Sequence, residues 1–149
     1  MLGAASAEYA VVDLACVRAG AVGVPLQAGA PAARLAPIVA QTAPRLLAVD
    51  MAHLDAALRL AADAPSLGRI VVLGHHPEAT VHQVMLDAAR DRLAAQGRGV
   101  ALSTLASVVE RGRTRGLDGR HAQRADLHLG GPATRPSYGP ATISAMPTQ

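Results

Sequence analysis

Lysine is absent: all 14 basic residues of the 149-residue chain are arginines. That absence excludes a lysine-dependent phosphate loop, a Schiff-base lysine and a lysine that contacts an acyl phosphate. Phenylalanine and tryptophan are absent too, and Tyr9 and Tyr138 are the only tyrosines. Half of the chain is nonetheless apolar, so a core must be built from Ala, Val, Leu and Ile. Such side chains pack closely but bury little area each, which predicts marginal stability. Cys16 stands alone and has no partner for an internal disulfide, which fits a reducing cytosolic setting. No run approaches the ~20 apolar residues that span a bilayer. Glu8 and Asp13 interrupt the N-terminal stretch "MLGAASAEYAVVD" early, unlike a secretory signal. These features predict a soluble, cytoplasmic protein.

Charge is unevenly placed. Residues 1–110 hold 8 Arg against 9 acids, whereas residues 111–149 hold 6 Arg against 2 acids. The basic character therefore belongs to the C-terminal stretch.

Up to Arg113 the chain is periodic. "SAEYAVVDLACVRA" (6–19) predicts a helix capped by Ser6 and stopped by Gly20, with Val11, Leu14 and Ala15 as a narrow apolar face. "AVGVPL" (21–26) reads as a short strand ended by Pro25. Pro31 suits the first turn of a second helix reaching Thr42, in which Pro37 predicts a kink or a late start. "RLLAV" (45–49) reads as a strand, and "MAHLDAALRLAAD" (51–63) as a helix with Leu54, Ala57, Leu58 and Ala61 on one stripe.

"RIVVLG" (69–74) is a strand, followed by a helix over 78–97. Val81, Val84, Met85, Ala88, Ala89 and Leu93 line that helix's predicted buried face, and Gly97 stops it. "GVAL" (99–102) reads as one more strand, and Ser103 as the cap of a last helix, "TLASVVERGR". Continuous apolar strands alternating with helices predict an α/β fold, with partial parallel-sheet βαβ layers and right-handed crossovers. Residues 114–149, rich in Gly, Pro, Arg, Ser and Thr, read as a disordered C-terminal tail.

No complete active site emerges. His75, His76, Glu78 and His82 form the densest polar cluster, with Glu78 and His82 four apart. They match no zinc spacing, and a loop leading into a helix N-terminus explains the same residues. Ser66 sits in "APSLG", without a nucleophile elbow. Gly20, Gly23, Gly29 and Gly74 make neither a dinucleotide fingerprint nor a phosphate loop. Cys16 lies in a helix pattern that buries it, as a structural thiol. Arg111, Arg113, Arg115, Arg120, Arg124 and Arg135 lack interleaved aromatics to stack bases, which leaves non-specific attraction to polyanions. The expectation is no catalytic, cofactor-binding or metal residue, and no specific nucleic-acid, membrane or other defined partner.

Three segments carry a resemblance: "YAVVDLACVRAGAVGVPLQAGAP", "LAPIVAQTAPRLLA" and "TLASVVERGR". In order and spacing they resemble adenylate-forming (AMP-binding) enzymes. The closer resemblance is to the adenylation domain of carboxylic acid reductases, often labelled fatty-acid–CoA ligases. It places residues 2–113 in the N-terminal lobe, with Met1 well inside it, and treats 1–113 as a partial domain and 114–149 as a separate tail. It implies that the parent reaction converts a carboxylate and ATP, with Mg, to acyl-AMP and pyrophosphate. Thioester formation follows and, in a reductase, reduction to the aldehyde.

The family's phosphate-gripping loop, Tyr-Thr-Ser-Gly-Ser-Thr-Gly-x-Pro-Lys-Gly, is expected shortly after "VVERGR". The chain reads "DLHLGGPATRPSYG" there, with no Lys and no matching Ser/Thr/Gly series. The adenine pocket, the magnesium-holding acid, the C-terminal lobe and the carrier and reductase domains are not matched either. A shifted reading frame produces such a break: codons CAC-CTC-GGG for His128-Leu129-Gly130, read one base later, give Thr-Ser-Gly. Likewise ACA-CGC-CCA-AGC for Thr134 to Ser137, read two bases later, gives Thr-Pro-Lys. The resemblance thus implies a fragment inactive alone, binding no cofactor itself, with an unpaired sheet edge and poor solubility. The alternative is a small non-catalytic α/β module that binds an anionic partner through its Arg-rich tail.

Overall fold

The computed structural model describes residues 1–115. The tail reading, with Arg120, Arg124, Arg135 and "DLHLGGPATRPSYG", lies outside the described residues. Five helices and three strands follow one another as α1 (Ala7–Arg18), α2 (Ala32–Thr42), β1 (Leu46–Asp50), α3 (Leu54–Asp63), β2 (Arg69–Leu73), α4 (Thr80–Ala95), β3 (Ala101–Thr104) and α5 (Leu105–Arg115). A 3₁₀ turn, Met51–His53, leads from β1 into α3. The strands form a parallel sheet in the order β1-β2-β3. Leu46 stands beside Arg69 in register, and Arg69 beside Ala101.

Alternation along the strands sends side chains to both faces of the sheet. Leu47, Val49, Ile70 and Val72 meet Leu35 and Val39 of α2, Leu54, Leu58 and Ala61 of α3, and Leu86, Ala89 and Leu93 of α4. Ala48, Val71 and Leu73 meet Val12 of α1 on the other face, with Tyr9, Cys16, Leu105 and Val108 packed around them. Among the described residues no polar or charged residue is fully buried. The core is aliphatic, as the composition requires.

Local chemistry sets the element ends. Ser6 Oγ accepts the Tyr9 N–H at 3.1 Å and starts α1. Asp50 does the same for the 3₁₀ turn, accepting the His53 N–H at 3.0 Å. The C-terminus of α3 is closed by a distant side chain. Arg98 Nη1 donates to the carbonyls of Ala61 (2.6 Å) and Ala62 (2.9 Å), and Nη2 to that of Ala64 (2.6 Å). The Ala61 and Ala64 carbonyls also accept the Ala64 and Leu67 N–H groups, at 3.4 and 3.0 Å, so Arg98 adds a second, charged donor there, and the cation suits the negative end of the helix.

Four expectations are corrected. Residues 21–26 form no regular strand; only Leu26 bridges, in parallel, to Leu2. Pro25 and Gly23 prevent a longer ladder. Second, α2 starts at Ala32 and runs through Pro37, so there is no late start; Pro37 merely leaves the Ala33 carbonyl without its helical donor. Third, Thr104 rather than Ser103 caps α5, its Oγ1 accepting the Ser107 N–H at 3.3 Å, because Thr104 is the residue directly before the helix start at Leu105.

The fourth correction concerns buried faces. In α1, Val12 is buried with Tyr9 and Cys16 beside it, while Val11 and Leu14 are exposed. In α4, Ala89 and Leu93 of the expected face are buried, joined by Leu86, while Val81 and Val84 are 61% and 63% exposed. Each helix carries two adjacent apolar stripes, and one stripe alone faces the sheet. α3 matches its predicted stripe. Among the described residues β3 pairs on one side only, with β2.

Candidate functional site

Ligands of open parallel sheets sit beyond the C-terminal ends of the strands. Here those ends are Asp50, Leu73 with Gly74, and Thr104. Asp50 Oδ1 accepts the His53 N–H and lies 2.5 Å from His53 Nδ1, while Oδ2 accepts the Ala4 N–H at 3.0 Å. Gly74 takes a positive φ of 67°, a conformation glycine adopts freely. Its N–H donates to Glu8 Oε2 at 2.7 Å, which joins α1 to the end of β2. At β3, Thr104 serves as the α5 cap, and its carbonyl accepts from Ser107 Oγ at 2.9 Å.

The histidine cluster also gathers at this end. His76 and His82 rings stack with centroids 5.6 Å apart, and His75 lies 6.1 Å from His82. The His76 N–H donates to His82 Nδ1 at 3.0 Å, and His75 Nε2 lies 3.3 Å from Gln83 Nε2. Stacked rings do not converge on one point, and among the described residues no group of three His, Cys, Asp or Glu could hold a metal. Glu78 stays outside the cluster: α4 begins at Thr80, so the helical spacing between Glu78 and His82 does not exist.

The remaining candidates have local tasks. Ser66 Oγ donates to the Pro44 carbonyl at 3.0 Å. Cys16 is half-buried against the sheet. Arg111 reaches back to Ser107 Oγ (3.4 Å) and Ser103 Oγ (3.3 Å). Arg113 pairs with Glu110 at 3.5 Å, and Arg115 ends α5. Gly20, Gly23 and Gly29 lie in the connections around residues 21–30.

Two groups have displaced titration. The Arg92 guanidinium, 2.6 Å from Asp55 Oδ1, with Arg59 on the other oxygen, holds this exposed carboxyl below its ordinary range. Burial lowers the Met1 ammonium pKa from its usual 8.0. Neither group sits at the strand ends.

Sequence reasoning missed Asp50 and Arg98. An aspartate directly before a helical turn is a cap signal that would have found the first. The second acts across 34 to 37 residues and leaves no local pattern.

A parallel sheet with helices on both faces defines an α/β domain, and its strand ends carry carboxylates and imidazoles already committed to their own backbone. The chain belongs to the AMP-binding enzyme family, whose model matches residues 1–116. It is similar to the carboxylic acid reductase of Mycobacterium tuberculosis, 43% identical over 114 residues, covering 76% of this chain and 9% of that protein. The carboxylic acid reductase of Mycobacterium marinum is 38% identical over 112 residues, covering 75% of this chain and 9% of that protein.

Among solved structures, the A domain of carboxylic acid reductase from Segniliparus rugosus, in complex with AMP and a co-purified carboxylic acid, has a TM-score of 0.74. Its identity is 37%, with 75% of this chain and 18% of that chain covered. The adenylation domain of the carboxylate reductase from Mycobacterium chelonae has a TM-score of 0.73 at 38% identity, covering 75% and 17%. The chain spans about 9% of the length of the curated relatives it matches. It is a partial α/β unit of the AMP-binding enzyme family.

Proposed function

We propose that this unit is scaffold from the N-terminal lobe of an acyl-adenylating enzyme, and that the 149-residue chain does not activate carboxylates by itself. The parent reaction is carboxylate plus ATP, with Mg, giving acyl-AMP and pyrophosphate. The observation that carries the reading is the absence of any lysine in a chain whose family match ends at residue 116. Gripping a triphosphate needs converging backbone amides and neutralising cations.

The residues described do not fit that task. The strand ends present Glu8 and Asp50 as carboxylates, and the Gly74, Ala4 and His53 amides are engaged by them. ATP–pyrophosphate exchange with fatty and aromatic acids tests the reading. The expected rate is that of the enzyme-free blank, and acid-dependent exchange by this chain overturns it.

α5 and the family match carry the first unit to residues 115 and 116, and the residues beyond are proposed to be a separate segment read in a shifted frame. The coding DNA decides this, because neither alternative frame encoding the phosphate loop would end the idea. A cytoplasmic setting and the absence of a nucleic-acid or membrane partner belong to the same proposal. No helix among the described residues is long and apolar enough to cross a membrane.

A further inference from the structure

α1 carries two apolar faces, and its own sheet uses one of them. Val12 is buried against Ala48, Val71 and Leu73, with Tyr9 and Cys16 packed beside it. On the opposite side Val11, Leu14 and Val17 are 51%, 68% and 70% exposed, and Ala7 and Ala10 are exposed beside them. Ala7, Ala10, Leu14 and Val17 follow one another at spacings of three, four and three. That is the a and d pattern of a helix that pairs with another helix. Val11 widens the stripe along one edge. A helix that served only its own sheet would carry polar residues on this side.

The flanks of the stripe carry opposite charges. With Ala7 and Leu14 at a, and Ala10 and Val17 at d, Asp13 falls at g and Arg18 at the following e. Both are exposed, and neither forms an ion pair among the described residues. They stand five apart, on opposite edges of the stripe, whereas pairs within a helix join residues three or four apart. Between two parallel helices, g of one lies beside the next e of the other. Asp13 then meets Arg18 of a second copy, and Arg18 meets its Asp13, so one symmetric pairing makes two ion pairs. An antiparallel pairing sets each charge beside its own kind.

We propose that the outer stripe of α1 docks a second copy of this chain, as a parallel, two-fold symmetric helix pair. Leu14 packs on Leu14 at the centre, and Ala10 and Val17 pack on their equivalents. The Asp13–Arg18 pairs fix the direction. The inner face of each α1 is held by its own sheet, so one stripe is left per chain and the assembly closes at two. α1 has 12 residues, which makes the interface small and the dimer transient. This inference goes beyond the adenylating ancestry and does not depend on it.

Sedimentation equilibrium of the 149-residue chain from about 10 μM to about 1 mM tests the proposal, a range suited to weak constants. The expected result is a reversible monomer–dimer equilibrium with no larger species. Leu14→Glu, at an exposed position, abolishes association while the urea midpoint of the dilute chain stays put. Asp13→Arg alone and Arg18→Asp alone each turn two attractions into two repulsions, and each weakens the dimer about tenfold. An equimolar mixture of these two variants regains the association of the unmodified chain, because mixed pairs set opposite charges together on both flanks. A chain that stays monomeric throughout overturns the proposal, as does association that survives Leu14→Glu. So do single charge variants that associate as well as the unmodified chain, a mixture that stays as weak as its parts, or growth into larger species.

Discussion

Gly3 lies against Asp50 so closely that a Cβ on the glycine would stand 2.9 Å from Asp50 Oδ2 and 3.1 Å from Cγ. The same carboxylate accepts the Ala4 and His53 amides, both at 3.0 Å. It therefore ties the N-terminal stub to the start of the β1–α3 connection. Gly3→Ala must displace the carboxylate and loosen both ties. The expected cost is about 1–3 kcal/mol, seen as a lowered urea midpoint with an unchanged slope. An unchanged midpoint would show that Asp50 gives way freely.

Arg98 is the closing group of α3, bound to three carbonyls across a long sequence separation. Arg98→Ala removes three charge-assisted bonds, although the Ala61 and Ala64 carbonyls keep their backbone donors, and is expected to cost about 1.5–3 kcal/mol. Arg98→Lys keeps the charge but not the planar fork, so it recovers part of the loss. Denaturant titration of the three proteins checks the order.

Stability should depend on the Met1 amine. Its pKa is lowered on folding, so between the folded value and 8.0 the unfolded chain binds more protons. Stability then rises with pH through that window and levels off above it. Nα-acetylation removes this component, and comparing acetylated with free chains from about pH 6 to about pH 9 isolates it. A free chain whose pH profile matches the acetylated one would contradict the burial of the ammonium.

The two stripes of α4 should respond differently. Leu86 is 1% exposed, and Leu86→Ala is expected to cost about 2–5 kcal/mol. Val84, on the outer stripe, should tolerate Val84→Gln within about 0.5 kcal/mol while the solubility limit rises. Equal destabilisation by both substitutions would mean that the outer stripe is covered.

That contrast also shows what a sequence can convey. β1, β2 and α3 were legible because "RLLAV" and "RIVVLG" are continuous apolar runs and the α3 stripe is single. α1 and α4 were legible as helices, but their orientation was legible only in part: Ala89 and Leu93 are buried as expected, whereas Val11, Leu14, Val81 and Val84 are exposed. Their valines form second stripes, and only the packed sheet decides which stripe it meets. "AVGVPL" has a strand's composition, but its backbone pairs at Leu26 alone, so composition overstated it. The histidines were visible as a cluster, whereas the stacking that keeps them from converging is a matter of three-dimensional placement. Arg98 and the Asp50 ties connect distant residues and leave no periodic trace.

The central claim is that this chain retains the sheet of an adenylate-forming lobe without its grip on nucleotide. Titrating ATP with Mg into the ¹⁵N-labelled 149-residue chain, and following the Ala4, His53, Gly74 and Ser107 amides, tests it most directly. The prediction is small shifts that do not saturate, because those amides are already bound to Asp50, Glu8 and Thr104. Saturable shifts concentrated at these strand ends would contradict it.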